Sequence, residues 1–427
     1  MPCVAAVAAA LLKLRPGEAD GQLFEAALRD LRETVRRAFG ALCQPLRTDG
    51  AVRTRTVNVF ARVGVVEAAY PYKPGEVTGR QAVALLCGAE QAAPGLPKAT
   101  RAARAAIAKA AATLPSFAEA RDFLAEEAGL DAGRETSRKI ALEAGARTQR
   151  AAAAGRPAAR PRRAVRPPPG ARPVPPTLVV APDGSCFPCA KPDLTGRQGR
   201  GGGQARGRNA NVVCAGRYAY AGRDGSPLFL RDPIRYHVTG AGGAALGEET
   251  WRIAEQEGVD RVRRVVFLSD GENELEAVFQ EHFAALPNVA RVLDAMHACQ
   301  YVDTMCKDLE KNPERAAKAS RRLRRRLVNA GWEGFARSFA RRFGADAPDR
   351  MGEDGRKAWK YLVARKSQMD YASFRRRNIP IGSGMAEAGC KLNLGRLKGP
   401  GMHWRFDNGI KIAMLRATLR SGMVITA

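Results

Sequence analysis

The chain has 427 residues, enough for two or three domains, at least one of which can bury a full core. Lys and Arg number 70 against 43 Asp and Glu, a formal net charge of +27 at pH 7. Such an excess repels itself in the compact state unless a polyanion neutralises it, which points to nucleic acid; a ribosomal-type scaffold, or a genome rich in Arg and Ala codons, gives the same balance. Nine cysteines without disulfide-like spacing exclude a disulfide framework and fit a reducing cytoplasm. No apolar run is long enough to span a bilayer, and the run Val4 to Leu12 also lacks the basic residues that precede a signal core.

In chain order, Phe24, Leu28, Leu31, Val35, Phe39 and Leu42 recur at three- and four-residue steps, predicting an amphipathic helix over 23–42. Alternating β-branched residues over 51–70, around Gly64, predict a hairpin. Together these form an N-terminal module, residues 1–97. Residues 98–147 return to helix. Ser116 precedes Glu119 by three, a capping box, and Gly129 separates that helix from a second one beginning near Ala132 to Glu135. The pair fits a helix-turn-helix presenting Arg134, Ser137, Arg138 and Arg147 to DNA, and fits an ordinary helical hairpin equally well. From 147 to 176 the chain holds eight Arg, eight Pro and no acidic residue, so 148–176 is read as an extended, phosphate-seeking linker.

Beyond the linker the pattern becomes α/β. TLVVAPDG (177–184), NVVCAGRYAY (211–220), RVVFLSDG (264–271) and NVARVLDAMH (288–297) read as Val-rich strands. Helical stretches at Gly247 to Glu257 and Glu272 to Ala285 imply βαβ crossovers and a mixed sheet. Residues 298–366 are basic and strandless, a helical insertion within a domain spanning 177–427. Cys186 and Cys189 form a CxxC without a second pair, so they are read as strand-end packing residues rather than a metal knuckle.

Two of the strands finish in Asp-Gly, at Asp183-Gly184 and Asp270-Gly271. An Asp at the carboxyl end of a strand, followed by a Gly that lets the chain turn away, exposes its carboxylate in the crevice above a sheet. Two such carboxylates on neighbouring strands repel each other, and Mg²⁺, a hard cation preferring oxygen ligands, relieves that repulsion. Asp-Gly is also a common turn dipeptide with no function attached. Near the C-terminus, Gly382-Ser383-Gly384 starts a helix on which Glu387, Lys391, Leu394 and Lys398 recur at helical spacing. By spacing alone Glu387 and Lys391 are a surface pair.

MDYASFRRRNIPIGSGMAEAGCK (369–391), the GRLKGPGMHW run from Gly395, LSDGENEL, APDGSCFPC and Asp294-x-x-His297 in LDAMHACQYV together resemble bacterial insertion-sequence DDE transposases of the ISKra group. The resemblance covers roughly residues 115 to 425. It implies an RNase H-like catalytic domain with a helical insertion, and an acidic triad of Asp183, Asp270 and Glu387 holding two Mg²⁺ (or Mn²⁺) ions about 3.5 to 4 Å apart. The implied activity is DNA strand cleavage at element ends followed by strand transfer, by a homo-oligomer assembled on double-stranded DNA in the cytoplasm, at the nucleoid. Arg197, Arg200, Arg206 and Arg208 in the Gly-rich loop 195–209, with Lys391, Arg396 and Lys398, are the phosphate-contact candidates, and His403 and Trp404 the base-stacking ones. Asp294 and His297 are accessory candidates. The chain departs from the pattern where Asn273-Glu274-Leu275 stands in place of an aromatic, and where AYPYKPGEVTG (69–79) lacks the usual cysteines. Two other readings remain: a junction resolvase or similar RNase H-like nuclease, and a domesticated or inactive transposase-derived DNA-binding protein.

Overall fold

The computed structural model describes residues 53–61, 64–72, 99, 101–155, 167, 169–199, 202–229 and 234–423. It divides into two compact units, Met1–Ala152 with Ile425–Ala427, and Ala153–Val424. The helix predicted over 23–42 lies outside the described residues, as does most of the module 1–97.

In the first unit, β1 (Arg53–Ala61) and β2 (Gly64–Tyr72) pair antiparallel with Ala61 opposite Gly64, the hairpin that the alternation around Gly64 predicts. Three helices follow, α1 (Arg101–Thr113), α2 (Phe117–Ala128) and α3 (Arg134–Ala153). Ser116 Oγ accepts the Glu119 amide at 3.0 Å, satisfying an otherwise unpaired first-turn N–H. Gly129, at φ 60, ends α2 in the left-handed conformation that its missing Cβ permits. Ala120, Leu124, Leu130, Ile140, Ala141 and Ala144 are buried. α3 continues through Ala153, into the stretch predicted as linker, because Thr-Gln-Arg-Ala-Ala-Ala tolerates helix and no proline occurs before Pro157.

The second unit is a mixed α/β domain on a six-stranded sheet. Its strands are β3 (Arg172–Pro188), β4 (Gly207–Ala221), β5 (Pro227–Phe229), β6 (Arg235–Thr239), β7 (Arg264–Ser269) and β8 (Val289–Leu293). The order is β5-β4-β3-β7-β8, with β6 also paired to β4. β4 runs antiparallel to β3, β5 and β6, whereas β3, β7 and β8 are mutually parallel. The sequence pattern missed β5, whose three residues are too few to establish a period, and β6. It also overran at β8: the chain leaves the strand after Leu293 and Asp294 caps a helix.

The helices of this unit are α4 (Gly243–Gln256), α5 (Asn273–His282), α6 (Ala295–Leu309), α7 (Pro313–Phe343), α8 (Ala347–Arg350), α9 (Glu353–Ala364), α10 (Tyr371–Arg376), α11 (Gly384–Leu394) and α12 (Phe406–Arg420). Leu246 and Ile253 of α4, with Leu275, Val278 and Phe279 of α5, close one sheet face over Leu178, Val180, Val213, Val265 and Phe267. The alternate residues Val179, Ala181, Val212 and Cys214 are buried too. α11 and α12 cover them so closely that a Cβ on Gly389 would strike Cys214 and Tyr236, and one on Gly409 would strike Phe187. Coverage on both faces explains why these strands read as continuous apolar runs. Helices α6 to α9 form the strandless insertion predicted for 298–366. Its core is aromatic, with Trp332, Phe335, Phe339, Phe343 and Trp359 in one chain of ring contacts.

Candidate active site

The parallel part of the sheet positions the acidic residues. The β3–β7 register ends with Val180 opposite Phe267, and carried three residues on it sets Asp183 level with Asp270. The β7–β8 register ends with Ser269 opposite Leu293, and one residue on sets Asp270 level with Asp294. Three carboxylates therefore form a row across three neighbouring strands, at the edge where the polypeptide leaves β7 and β8.

Asp183 differs from the sequence expectation. It does not end a strand: β3 continues to Pro188, with Asp183 opposite Val212 and Gly184 opposite Asn211 on β4. The antiparallel neighbour supplies backbone partners after β7 has stopped doing so, which keeps the chain extended through an Asp-Gly that elsewhere would turn. Asp270 behaves as predicted. Gly271 sits at φ 81 and the chain turns there into α5.

The insertion reaches back to that turn. Tyr361 Oη donates to the Asp270 carbonyl, and Arg365 Nε donates to the Gly271 carbonyl at 3.0 Å, while its guanidinium lies 3.8 Å from the Tyr361 ring centroid. A Cβ at Gly271 would overlap Tyr361, Leu293 and Arg365. Sequence reasoning did not single out Tyr361 and Arg365. Their spacing, four apart at the C-terminal end of α9, was the only local signal, and it does not reveal what lies against them.

Asp294 is bonded inward. Its side chain accepts the His297 amide at 2.7 Å, the His297 ring Nδ1–H at 3.1 Å and the Ser383 amide. The Ala295 amide donates to Ile381 O at 2.9 Å. These bonds tie the Pro380–Ser383 segment to the end of β8 and so fix where α11 begins. Burial alone would raise the Asp294 pKa, but the bonds from His297 and Ser383 outweigh it and hold the carboxyl at about 2. The bond to Asp294 conversely raises the His297 pKa against the opposing effect of burial, and Asp270 and Asp183 add to the rise. With Nδ1 committed to Asp294, Nε2 is the nitrogen left for other partners.

Along α11, Cys390 places its thiol 3.5 Å from Asp183 Oδ2. Burial raises the Asp183 pKa, bonds from Cys390 and Gly184 pull it back, and the Asp270 charge raises it further. Glu387 lies one helical turn before Cys390, but its carboxylate pairs with Lys391 Nζ at 2.8 Å and is 66 % exposed. Among the described residues no group of three or more His, Cys, Asp and Glu side chains is close enough to hold a metal ion. Asp183, Asp270 and Glu387 do not form such a group. Asp183 and Asp270 carry the carboxylate oxygens that a hard divalent cation prefers.

The cationic candidates divide. Arg197, Arg206, Lys391 and Lys398 are exposed, and Lys398 Nζ donates to Ser185 Oγ at 2.7 Å, two residues past Asp183. Arg208 stacks on Phe406, 3.5 Å from the ring centroid. Arg200 lies outside the described residues. Arg396 is buried, 5.6 Å from the Trp404 ring centroid, and cannot meet a phosphate as expected. Nor does Lys398 continue the Glu387 face: α11 ends at Leu394, which is buried, and Lys398 falls in a 3₁₀ turn. Trp404 closes no helix; its backbone pairs with Pro188 and Ala190 at the end of β3. His403 is exposed. In the first unit Ser137 is fully buried, so the expectation that it faces DNA is corrected. Arg134 is exposed, and Arg138 is partly so, with two bonds to Glu135.

Cys189 is buried, as a packing residue is, whereas Cys186 is exposed. No helix among the described residues is long and apolar enough to cross a membrane. No protein-family model and no curated protein matches the chain.

Proposed function

We propose that the chain is a DNA transposase of the insertion-sequence DDE kind, cleaving and joining strands with a divalent metal at Asp183 and Asp270 and with Glu387 as the third acidic residue. The observation that carries this is the level placement of Asp183 on β3 with Asp270 and Asp294, each one residue past the end of the parallel strands β7 and β8, beside the helix that bears Glu387, whose Cys390 thiol meets Asp183. An antiparallel β6-β4-β3 half joined to a parallel β3-β7-β8 half supports an RNase H-like domain.

In this reading Asp183 and Asp270 would hold the cation, with Glu387 as the third acidic residue. Bound there, Mg²⁺ supplies positive charge for the scissile phosphate and acidifies the attacking water or 3′-hydroxyl. Asp294 keeps His297 oriented beside the carboxylates, with Nε2 left for the phosphate side. Tyr361 and Arg365 hold the Asp270 turn rigid from the insertion. Lys398 and Lys391, with Arg197 and Arg206, meet the flanking phosphates, which positions DNA without reading its sequence. α2 and α3 serve as the helix-turn-helix, through Arg134 and Arg138.

A second reading, a transposase-derived DNA-binding protein without the chemistry, is favoured by the Glu387–Lys391 pair, which engages the third carboxylate. Asp270→Asn separates the two. The amide removes a metal-holding charge but no backbone-gripping cation, so nicking of labelled end DNA in Mg²⁺ or Mn²⁺ is expected to fall at least about a thousandfold, while gel-shift affinity changes less than about twofold. Wild-type protein that binds the DNA and never nicks it supports the second reading. An Asn variant that nicks at the wild-type rate removes Asp270 from the chemistry.

A further inference from the structure

The helix α7 is interrupted at Gly331, where φ 65 and ψ −170 are non-helical. Its second arm doubles back along the first: Arg342 near its end pairs with Glu310, just before α7 starts, at 3.0 Å, and Arg326 Nε donates to Ser338 Oγ at 3.2 Å. Between the arms lies a groove of about 490 Å³. Arg315, Lys318 and Arg322 line it from the first arm, at helical spacing on one face, and Arg341 and Arg342 line it from the second; no carboxylate lines it. All five are exposed, and among the described residues Arg315, Lys318, Arg322 and Arg341 stand in no ion pair. The other side of the first arm is different. There α6 supplies Asp303, which takes bonds from Ser320 and from Arg324.

The arm is thus neutralised on the side that packs and left uncompensated on the side that opens to solvent. Folding gains nothing from crowding like charges in a concave site, where low-dielectric walls strengthen their repulsion, so an anion is the missing component. Arg315 to Arg322 spans roughly 10 Å of helix, about the axial rise of three phosphates along one strand of a duplex. A membrane surface fits poorly: the groove is concave, and the exposed large apolar residues Phe123, Met296, Val363 and Leu392 all lie outside α7.

We infer that the groove between the two arms of α7 is a second, sequence-independent binding site for the phosphate backbone of a DNA duplex, separate from the acidic row. That the phosphates belong to DNA rests on the function proposed above; the site itself requires no strand cleavage.

The test uses the full chain and a random-sequence DNA duplex in a metal chelator, so that failed cleavage cannot be mistaken for failed binding. Log affinity is measured against log salt from about 50 to 300 mM for wild type and for Arg315→Gln, Lys318→Gln, Arg322→Gln and Arg341→Gln combined. The slope is expected to become shallower by about 3.6, or about 0.9 for each of the four phosphates that are no longer neutralised. Replacing the three arginines by lysine should preserve it. Because the fourfold variant could misfold, acetylation of Lys318 is also followed in the wild-type protein, where duplex DNA is expected to slow it several-fold. An unchanged slope in a folded variant, or Lys318 acetylated as fast with DNA as without it, overturns the inference. So does protection of Lys318 by duplex RNA and not by duplex DNA.

Discussion

Asp183-Gly184 and Asp270-Gly271 are the same dipeptide after the same kind of Val-rich strand, yet they fold in opposite ways. At Asp183 the chain stays extended, because β4 pairs with it as far as Pro188, and Gly184 donates its amide to its neighbour's own carboxylate at 2.8 Å. At Asp270 the strand ends, Gly271 takes φ 81, and Tyr361 and Arg365 cap the turn from a distant helix. Level placement of the two carboxylates comes from strand register and not from a shared turn. Equal sequence thus marks equal position on the sheet without fixing equal backbone conformation.

Adding one methyl group at each glycine separates the two sites most strongly. Gly271→Ala combines a positive φ with overlap against Tyr361, Leu293 and Arg365, and should cost about 3 kcal/mol in denaturant unfolding. Gly184→Ala meets only Asn211 Oδ1, at 3.0 Å, and should cost about 1 kcal/mol or less. Equal costs would mean that the two sites share one conformation after all.

A smaller effect is expected at the third member of the row, which is bonded inward. The Asp294 carboxyl is held at about 2, below its usual 3.8, so the stability it adds is complete above the usual value and is lost as pH falls toward 2. Asp294→Asn should therefore be less stable than wild type by about 2 kcal/mol at pH 5, with the difference closing near pH 2. His297 has the opposite sign: its raised pKa adds stability below the usual histidine range that disappears as pH climbs through the raised value. A difference that stays constant from pH 5 to pH 2 would remove Asp294 from this linkage.

The smallest effect belongs to Glu387, which shares neither strand nor turn with the others. Its pair with Lys391 is exposed on both sides, so Lys391→Ala should shift the unfolding free energy by less than about 0.5 kcal/mol. A cost well above that would show that the pair is part of the packing of α11.

Much of this was legible in the sequence because it is set by short-range pattern. The Val-rich runs gave four of the sheet's strands, the Ser116 and Gly129 signals gave the bounds of α2, and the strandless basic stretch gave the insertion. Asp183 and Asp270 could be named because each follows an apolar run, and Asp294 through the resemblance of its Asp-x-x-His motif. Other features were decided by partners far away in the chain. Asp183 stays extended because of β4, Asp294 is committed to Ser383, Ser137 and Arg396 are buried by their surroundings, and Gly271 lies beneath Tyr361. Local pattern reports which face of an element prefers water. Which groups meet across elements depends on register and packing, and these arise only when the whole sheet and its covering helices assemble together.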